Sequence, residues 1–542
     1  MNIASRNEFV QALLADQDFL KGLSGKLGAG LADLVKADTI SQATGFNWYD
    51  LRPVVQLLYP YKELIPLISR LPRVSGDGGT GYHWKRITGL NVNTLSFGVG
   101  EGQRGARISV TEEDQQATYK TLGLESSVTF QASWANGQLN PNNRSIATQA
   151  TLRSVMIGEE QSLILGNSSL ALGKTPTPTL TKDSASTSSF SSGSVYVMAV
   201  ALSGFGYLNT TAYNSATATG GVPGLVTKTN ADGSTNTFGG GSAMPSNEAS
   251  IAVSSGNNVT ATITPVAGAV AYAWYVGTAT GAETLAAITS GTRATFSKAG
   301  ALGQPITNLQ VSSAYVDNST NAYLPDGIIS MINGSVFGSA PGTTMATAPS
   351  LPDSRLSIAA SGSLVMTAPA GNTGLTISGT NIAEFDLMLQ AAYEQYKIGF
   401  DKILMSSADL ANFSGTFFGS GDTAAAFRIV FDAEAASGRI VAGRRVTSYL
   451  NKFFGNTLDI EIHPYLPQGT ILFWSDRVPY ELSGVANILE AHVRQDYYEV
   501  QWPWSTMRYE FGVYVDEVFA GYFMPAFATI TNLNPPAGTP AF

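Results

Sequence analysis

Apolar and polar positions alternate at different periods along the chain and divide it into three stretches. In the first, to about Gly166, the N-terminal Met1–Asp16 reads as an amphipathic helix and is followed by the apolar Leu51-Arg-Pro-Val-Val-Gln-Leu-Leu-Tyr-Pro60. Tyr82–Thr88, Thr118–Glu125 and Ser127–Gln131 are rich in β-branched and aromatic residues and predict strands. Between them lies Gly98-Val-Gly-Glu-Gly-Gln-Arg-Gly105. Strand-like runs on either side of a Gly-rich stretch predict a hairpin that reaches out from the body. From Arg144 to Leu165, the residues Ile146, Leu152, Val155, Met156, Leu163 and Ile164 fall near one helical face, and Gly166-Asn167 supplies the stop. A helix of that length runs roughly 30 Å.

The second stretch, about 168–323, loses most of its charge and gains Ser, Thr, Gly and Pro. Its alternating runs Ser194–Val200, Val259–Pro265, Ala271–Gly277 and Thr292–Ser297 predict a β-sandwich with Val259, Ile263, Tyr272 or Trp274, and Phe296 facing inward. From Ala249 to Ser297 the order of a Val-rich strand, a Pro-Val-Ala-Gly-Ala turn and a Tyr/Trp strand resembles fibronectin-III and immunoglobulin-like modules. In the third stretch, Ile382, Phe385, Leu389, Ala392, Tyr393 and Tyr396 recur at helical spacing, with Asn381 and Glu384 as a capping pair. Ile403–Ser407 reads as a strand, Ala408–Phe413 as helix, and Ala424–Ala436 as a later helix. Leu458–Trp474 predicts two strands joined at Pro464 to Gly469, and Arg508–Ala520 and Ala526–Ile530 predict closing strands.

Composition narrows what such a chain does. Its 542 residues correspond to about three folding units. With no cysteine, disulfides, thiolate metal sites and Cys nucleophiles are excluded. No run of about 18 apolar residues spans a membrane, and Asp16 interrupts the run a secretory signal needs. A net charge of −9 with 13% charged residues lacks the basic stripe of a nucleic-acid reader. A hydrophobic content of 44% argues against disorder. Sparse charge suits large assemblies, where fewer ionic groups need desolvating at contacts.

Chemical motifs are few. Gly100-Glu-Gly-Gln-Arg-Gly105 has the spacing of a dinucleotide fingerprint, but the strand-like Ala106–Val110 follows where a helix must open, so no nucleotide site is expected. His83, His463 and His492 are far apart and lack ligand partners at helical spacing, so no metal and no triad is expected. Glu112-Glu113-Asp114 and Glu159-Glu160 are adjacent acids that point in different directions and read as solvated or salt-bridging faces. Asn167-Ser-Ser and Asn209-Thr-Thr match a glycosylation sequon, a chance match in so Ser/Thr-rich a chain. No catalytic residue, cofactor or enzymatic activity is assigned.

The order of projecting Gly-rich hairpin, brace helix ending in Leu165-Gly-Asn167, a turn at Pro325-Asp-Gly-Ile-Ile329, and the closing Tyr509-Glu-Phe-Gly-Val-Tyr-Val-Asp-Glu-Val518 with Pro525-Ala526 resembles the major capsid protein of tailed double-stranded-DNA bacteriophages. That fold is shared with herpesvirus shells and encapsulins. The resemblance covers about Trp48–Gly166 and Leu324–Asn532 and implies an α+β capsid fold carrying a β-rich insertion. It implies an N-terminal arm over 1–73, and an extended loop (near Asn91 to Phe130) with a spine helix (Arg144 to Leu165) in 74–167. It further implies the insertion over 168–323, an axial domain over 324–472, and peripheral return strands over 473–542. An inserted module is expected to sit on the surface and to be dispensable for assembly between Lys174 and Asn318. Implied partners are further copies in hexamers and pentamers, a separate scaffolding protein, a portal, possible decoration proteins, and packaged DNA held without sequence readout. The implied location is the virion capsid, assembled in the host cytoplasm. No Lys120 cross-link is expected, since no Asn or activating carboxylate can be paired with it.

Within that picture Glu101, Arg104, Arg107, Glu112 and Glu113 are the residues expected to contact a neighbouring subunit, because mixed charge on an exposed hairpin suits intermolecular salt bridges. An adhesin or tail-fibre protein is the alternative favoured by the sandwich-like middle. An encapsulin-like compartment is a variant of the shell reading.

Overall fold

The computed structural model describes residues 62–533 except 77, 92–97, 106, 108, 136–142, 185–187, 301, 335–350, 368–373, 379–380, 420–445, 477–486 and 505. Every described residue belongs to one compact unit. The helices expected at Met1–Asp16 and Ala424–Ala436, and the segment Leu51–Pro60, lie outside the described residues.

After β1 (Arg73–Ser75) the chain runs out along β2 (Gly81–Asn91) and back along β3 (Ser109–Thr118). It passes Tyr119 into β4 (Lys120–Thr129), then a short helix α1 (Phe130–Ala135) and the long helix α2 (Asn143–Leu165). β2 and β3 pair only with each other among the described strands, from Gly81 with Thr118 to Asn91 with Ser109. The hairpin thus begins at Gly81, earlier than the extended loop expected from Asn91. It ends at Thr118, because β4 is claimed by a sheet of the body.

The middle stretch contributes β5 (Thr179–Lys182), β6 (Gly193–Leu202), helix α3 (Gly204–Leu208), and two ribbons: β7 (Thr211–Asn214) with β8 (Thr219–Gly221), and β9 (Leu225–Thr229) with β10 (Thr235–Gly239). Then come β11 (Ala249–Val253), β12 (Val259–Thr262), β13 (Ala271–Gly277), β14 (Thr284–Thr289), β15 (Arg293–Phe296) and the pair β16 (Gln310–Val311) and β17 (Ala314–Tyr315). Two sheets, ordered β11-β6-β13-β14 and β15-β12-β5, enclose a core that includes Val259, Ile263, Tyr272, Trp274 and Phe296. Tyr272 and Trp274, two apart on one strand, share that face. β5 and β6 extend the sandwich well before Ala249.

The expectation of a module merely seated on the surface is corrected by β13, which is buried on both faces. Ala271, Ala273 and Tyr275 on its second face, with Met198, Val200 and Leu202 of β6, join the core that also holds Leu163, Ile164 and Leu165 of α2. A sheet face that meets a helix must be apolar, which is why β13 reads as a continuous apolar run. The chain leaves and returns at one place: Gly327 N–H donates to the Gly166 carbonyl (2.9 Å) and Asn321 N–H to that of Asn167 (2.8 Å). Glycine is required there, since a Cβ on Gly166 would meet the Pro325 carbonyl oxygen at 2.3 Å.

The remainder is α4 (Ile328–Asn333), β18 (Leu356–Ile358), β19 (Leu364–Thr367), β20 (Ile377–Ser378), β21 (Asn381–Ile382), α5 (Ala383–Tyr396), β22 (Lys402–Met405) and α6 (Ser407–Gly419). It closes with β23 (Ser448–Leu450), β24 (Thr457–Ile462), β25 (Ile471–Trp474), β26 (Leu489–Gln501), β27 (Arg508–Gly521) and β28 (Phe527–Thr531). A seven-stranded sheet, β18-β19-β28-β25-β22-β24-β23, packs on α5 and α6 around Phe385, Phe413 and Phe473. A four-stranded sheet, β1-β26-β27-β4, carries α2 across β4 and β27. The α+β class is therefore present in two mixed layers and a sandwich.

Three local expectations change. β24 and β25 are joined through Pro464–Gly469 but do not pair, because β22 lies between them, parallel to one and antiparallel to the other. β28 enters the seven-stranded sheet between β19 and β25, so it does not return with β26 and β27. The N-cap of α5 is Ile382, not Asn381, and its apolar side chain makes no cap bond; Glu384 accepts from Thr376 N–H (2.7 Å) and pairs with Arg355 (3.0 Å).

Candidate functional site

The hairpin has a supported base and a bare end. Tyr82 and Trp84, on one face of β2, lean on the four-stranded sheet. Tyr82 stacks on His492 (3.7 Å between centroids), meets the Tyr522 hydroxyl at 3.1 Å, and Trp84 sets its ring edge-on to Tyr522. Further out, Arg86 forms a cross-strand ion pair with its register partner Glu113 (2.8 Å), and Lys85 with Asp114 (3.4 Å). At the end, Gln103 N–H donates to the Gly100 carbonyl (3.0 Å), closing a turn in which Gly102 takes φ +78°, a value that suits glycine. The dinucleotide-like spacing is thus a turn between strands, with no helix behind it.

Glu101, Arg104, Arg107 and Glu112 are exposed on this hairpin and its turn. Glu113 is different. Its carboxylate is half-buried and engaged by Arg86, so within this chain it stiffens the hairpin. Sequence reasoning missed the exposed apolar residues beside these charges: Ile87 is 64% exposed, and Val99 and Val110 are also open to solvent.

A second exposed surface lies where α1 meets the β26–β27 connection. Phe130 packs against Tyr509, Trp504 and Trp134 at centroid distances of 4.6, 5.7 and 6.1 Å. Trp134 is 67%, Trp504 72% and Met507 58% exposed. Arg144 covers Tyr509 at 5.5 Å and reaches Glu499 at 3.4 Å. The aromatic letters are visible in the sequence, but nothing local brings 130, 134, 504 and 509 together.

Between these surfaces lies a polar joint on α2. Glu159 and Glu160, expected on a solvated or salt-bridging face, are both fully buried. They do point apart, but the helix is wedged so that each direction meets protein. Glu160 accepts the backbone N–H groups of Leu67 (3.0 Å) and Ile68 (2.7 Å) and faces His463 Nε2 at 2.7 Å. Tyr465 N–H donates to His463 Nδ1 (3.3 Å), which leaves the ring N–H on Nε2, aimed at Glu160. One carboxylate thereby ties the segment before β1, helix α2 and the end of β24. Glu159 turns toward the sheet, where Arg73 and Tyr497 donate to it. Lys120 reaches the Ala322 carbonyl (2.7 Å).

Among the described residues no group of His, Asp and Glu is arranged to hold a metal. His83 is exposed, whereas His463 faces Glu160 from a distant part of the chain and His492 lies near Glu490, two residues before it on β26 (3.5 Å). Asn167 is buried and its amide donates to the carbonyls of Leu170 and Ser319, a structural role that accounts for this sequon residue. The surfaces and the joint suit association and bracing, and none of the groups is arranged as a nucleophile with a base.

No protein-family model matches the chain, and no curated protein does. Solved structures to which it is similar include the capsid of a native GTA particle, at 8% identity and TM-score 0.40, covering 93% of this chain and 99% of that one. The capsid of Myoviridae phage XM1 is similar at 9% identity and TM-score 0.34, with 86% and 92% covered. The holo-SrpI encapsulin complex from Synechococcus elongatus PCC 7942 is similar at 8% identity and TM-score 0.35, with 91% and 95% covered.

Proposed function

We propose that the chain is a structural subunit that assembles with copies of itself into a closed icosahedral shell, the capsid enclosing the double-stranded DNA of a tailed bacteriophage. The observation that carries this reading is the β2–β3 hairpin. Its strands are 11 and 10 residues long, so it extends about 35 Å. An isolated two-stranded ribbon is at best marginally stable in water, and among the described strands this one has no third partner. A second copy supplies the missing support: Ile87, Val99 and Val110 give apolar area, and Glu101, Arg104, Arg107 and Glu112 give complementary charge. The aromatic surface around Trp134 and Trp504 is a second place for another copy to bury.

A shell needs several modest contacts repeated around a symmetric lattice, which sum to stability while leaving single errors reversible. The hairpin overlaps a neighbour, α2 with the four-stranded sheet stiffens the subunit, and the seven-stranded layer packs around the local axes of hexamers and pentamers. Scaffolding, portal and decoration proteins are separate partners, assembly takes place in the host cytoplasm, and the net charge of −9 suits DNA held by volume and counterions. Negative-stain microscopy of the expressed full-length chain tests the reading. Hollow isometric particles are the expected result; rods, trimers or persistently monomeric protein overturn it. Particles that enclose protein cargo and exclude DNA in a phage-infected cell would point to a compartment shell.

A further inference from the structure

The joint has a second half that Glu160 does not explain. Glu159 of α2 and Glu517 of β27 are both completely buried and face the same guanidinium, that of Arg73. Glu159 accepts from Arg73 of β1 and from the Tyr497 hydroxyl of β26, and Arg73 Nη2 also donates to that hydroxyl oxygen (2.7 Å). Glu517 has no such donor. Among the described residues neither of its carboxyl oxygens has a hydrogen-bond partner, and Arg73 Nη1 stays 3.8 Å away while donating to Asp496 (2.9 Å). The facing charges are therefore two buried carboxyls, one guanidinium and the exposed Asp496. Lys120 of β4, the register partner of Glu517, donates to the Ala322 carbonyl. Asp516, on the other face of β27, is held by Arg494 (2.7 Å).

We infer that Glu517 holds a proton and donates it to Glu159, so that a carboxylic acid–carboxylate pair clamps helix α2 to strand β27 and loosens when that proton leaves. One added proton satisfies the stranded oxygens and balances the site, since Arg73 and ionised Glu159 then cancel and Glu517 is neutral. Without it two negative charges share one arginine in a dry site. The proton sits on Glu517 because Glu159 already has two donors. The electrostatics agree: burial pushes the Glu517 carboxyl well above the usual carboxylate range, with the charge of Glu159 acting the same way, and burial raises Glu159 also.

The sign follows from linkage. A carboxyl whose folded pKa lies above its unfolded value contributes stability that is complete below the unfolded value, about 4.3, and is lost as pH rises through the folded one. Over that window the native state carries one extra proton. The unfolding equilibrium constant of the full-length chain in guanidinium should therefore climb about tenfold per pH unit more steeply than that of Glu517→Gln. Glu159→Gln, which approaches the pair from the helix, should flatten the profile in the same way if Glu517→Gln fails to fold. Infrared spectra recorded above the unfolded value should show a protonated carboxylic acid carbonyl band that weakens in Glu517→Gln. Parallel pH profiles for wild type and both variants, or an unchanged carboxylic acid signal in Glu517→Gln, overturn the inference.

Discussion

Replacing Glu160 by alanine is the most direct perturbation of the joint on α2, because a single carboxylate serves three donors from three parts of the chain. Glu160→Ala leaves the N–H groups of Leu67 and Ile68 and the Nε2–H of His463 buried without an acceptor. A stranded buried donor costs about 1–3 kcal/mol, so three cost roughly 3–9 kcal/mol if nothing relaxes. With partial relaxation around the stranded donors, the lower part of that range, about 3–5 kcal/mol, is the magnitude expected here. It is a large share of the ~5–15 kcal/mol by which domains are stable. Glu160→Gln keeps the shape but turns an NH2 group toward at least one donor, and should cost about 1–3 kcal/mol. His463→Ala removes one of the three bonds, yet in the Glu160→Ala background it should add little, because its partner is already gone. The assay is guanidinium unfolding of the full-length chain, followed by tryptophan fluorescence, for the three single variants and for the double Glu160→Ala with His463→Ala. A Glu160→Ala effect below about 1 kcal/mol, or strictly additive single effects, would refute the reasoning that this carboxylate is the common acceptor.

Arg104→Glu with Arg107→Glu should reduce particle yield in microscopy while leaving the unfolding midpoint unchanged, since both side chains are exposed; equal particle yield removes their assigned role. Replacing residues 174–318 by a short linker should give insoluble chain, because β6 and β13 belong to the same apolar core as Leu163, Ile164 and Leu165 and each uncovered side chain costs about 1.5–3 kcal/mol. Soluble, monodisperse protein after that excision would sink this account of the core. Asp409, buried and accepting from Ser406 Oγ (2.7 Å) and Gly469 N–H (2.9 Å), is pushed up to about 6 by burial. Its folded value exceeds the unfolded one, so stability is lost as pH rises from about 4 through 6, by about 3 kcal/mol in all. Asp409→Asn should flatten denaturation midpoints over that interval, and an unchanged slope would count against it.

The elements most legible in the sequence are those whose pattern is local. Tyr82–Thr88, the glycines of 98–105 and the helix from Asn143 to Leu165 announce themselves through period, turn chemistry and a glycine stop. Long-range pairing was not legible. β22 separating β24 from β25, and β28 crossing into the seven-stranded sheet, depend on contacts that no local period encodes. The exposed charges of the hairpin follow from composition in a turn. The engagement of Glu113 by Arg86 needs the strand register, which is set by pairing across a loop.

Glu159 and Glu160 mark the boundary most sharply. Adjacent acids on a helix read as solvent-facing because a charge is buried only with partners, and none stands nearby in sequence. The partners come from residues 67–68, 73, 463, 497 and 517, gathered only when the sheets close on α2. By itself, then, the sequence determined the hairpin, the long helix and the apolar strands, because backbone geometry and hydrophobic period act over a few residues. The tertiary structure decided that the sandwich shares the main core and that two glutamates are buried, because burial is a property of what packs on a surface from far along the chain.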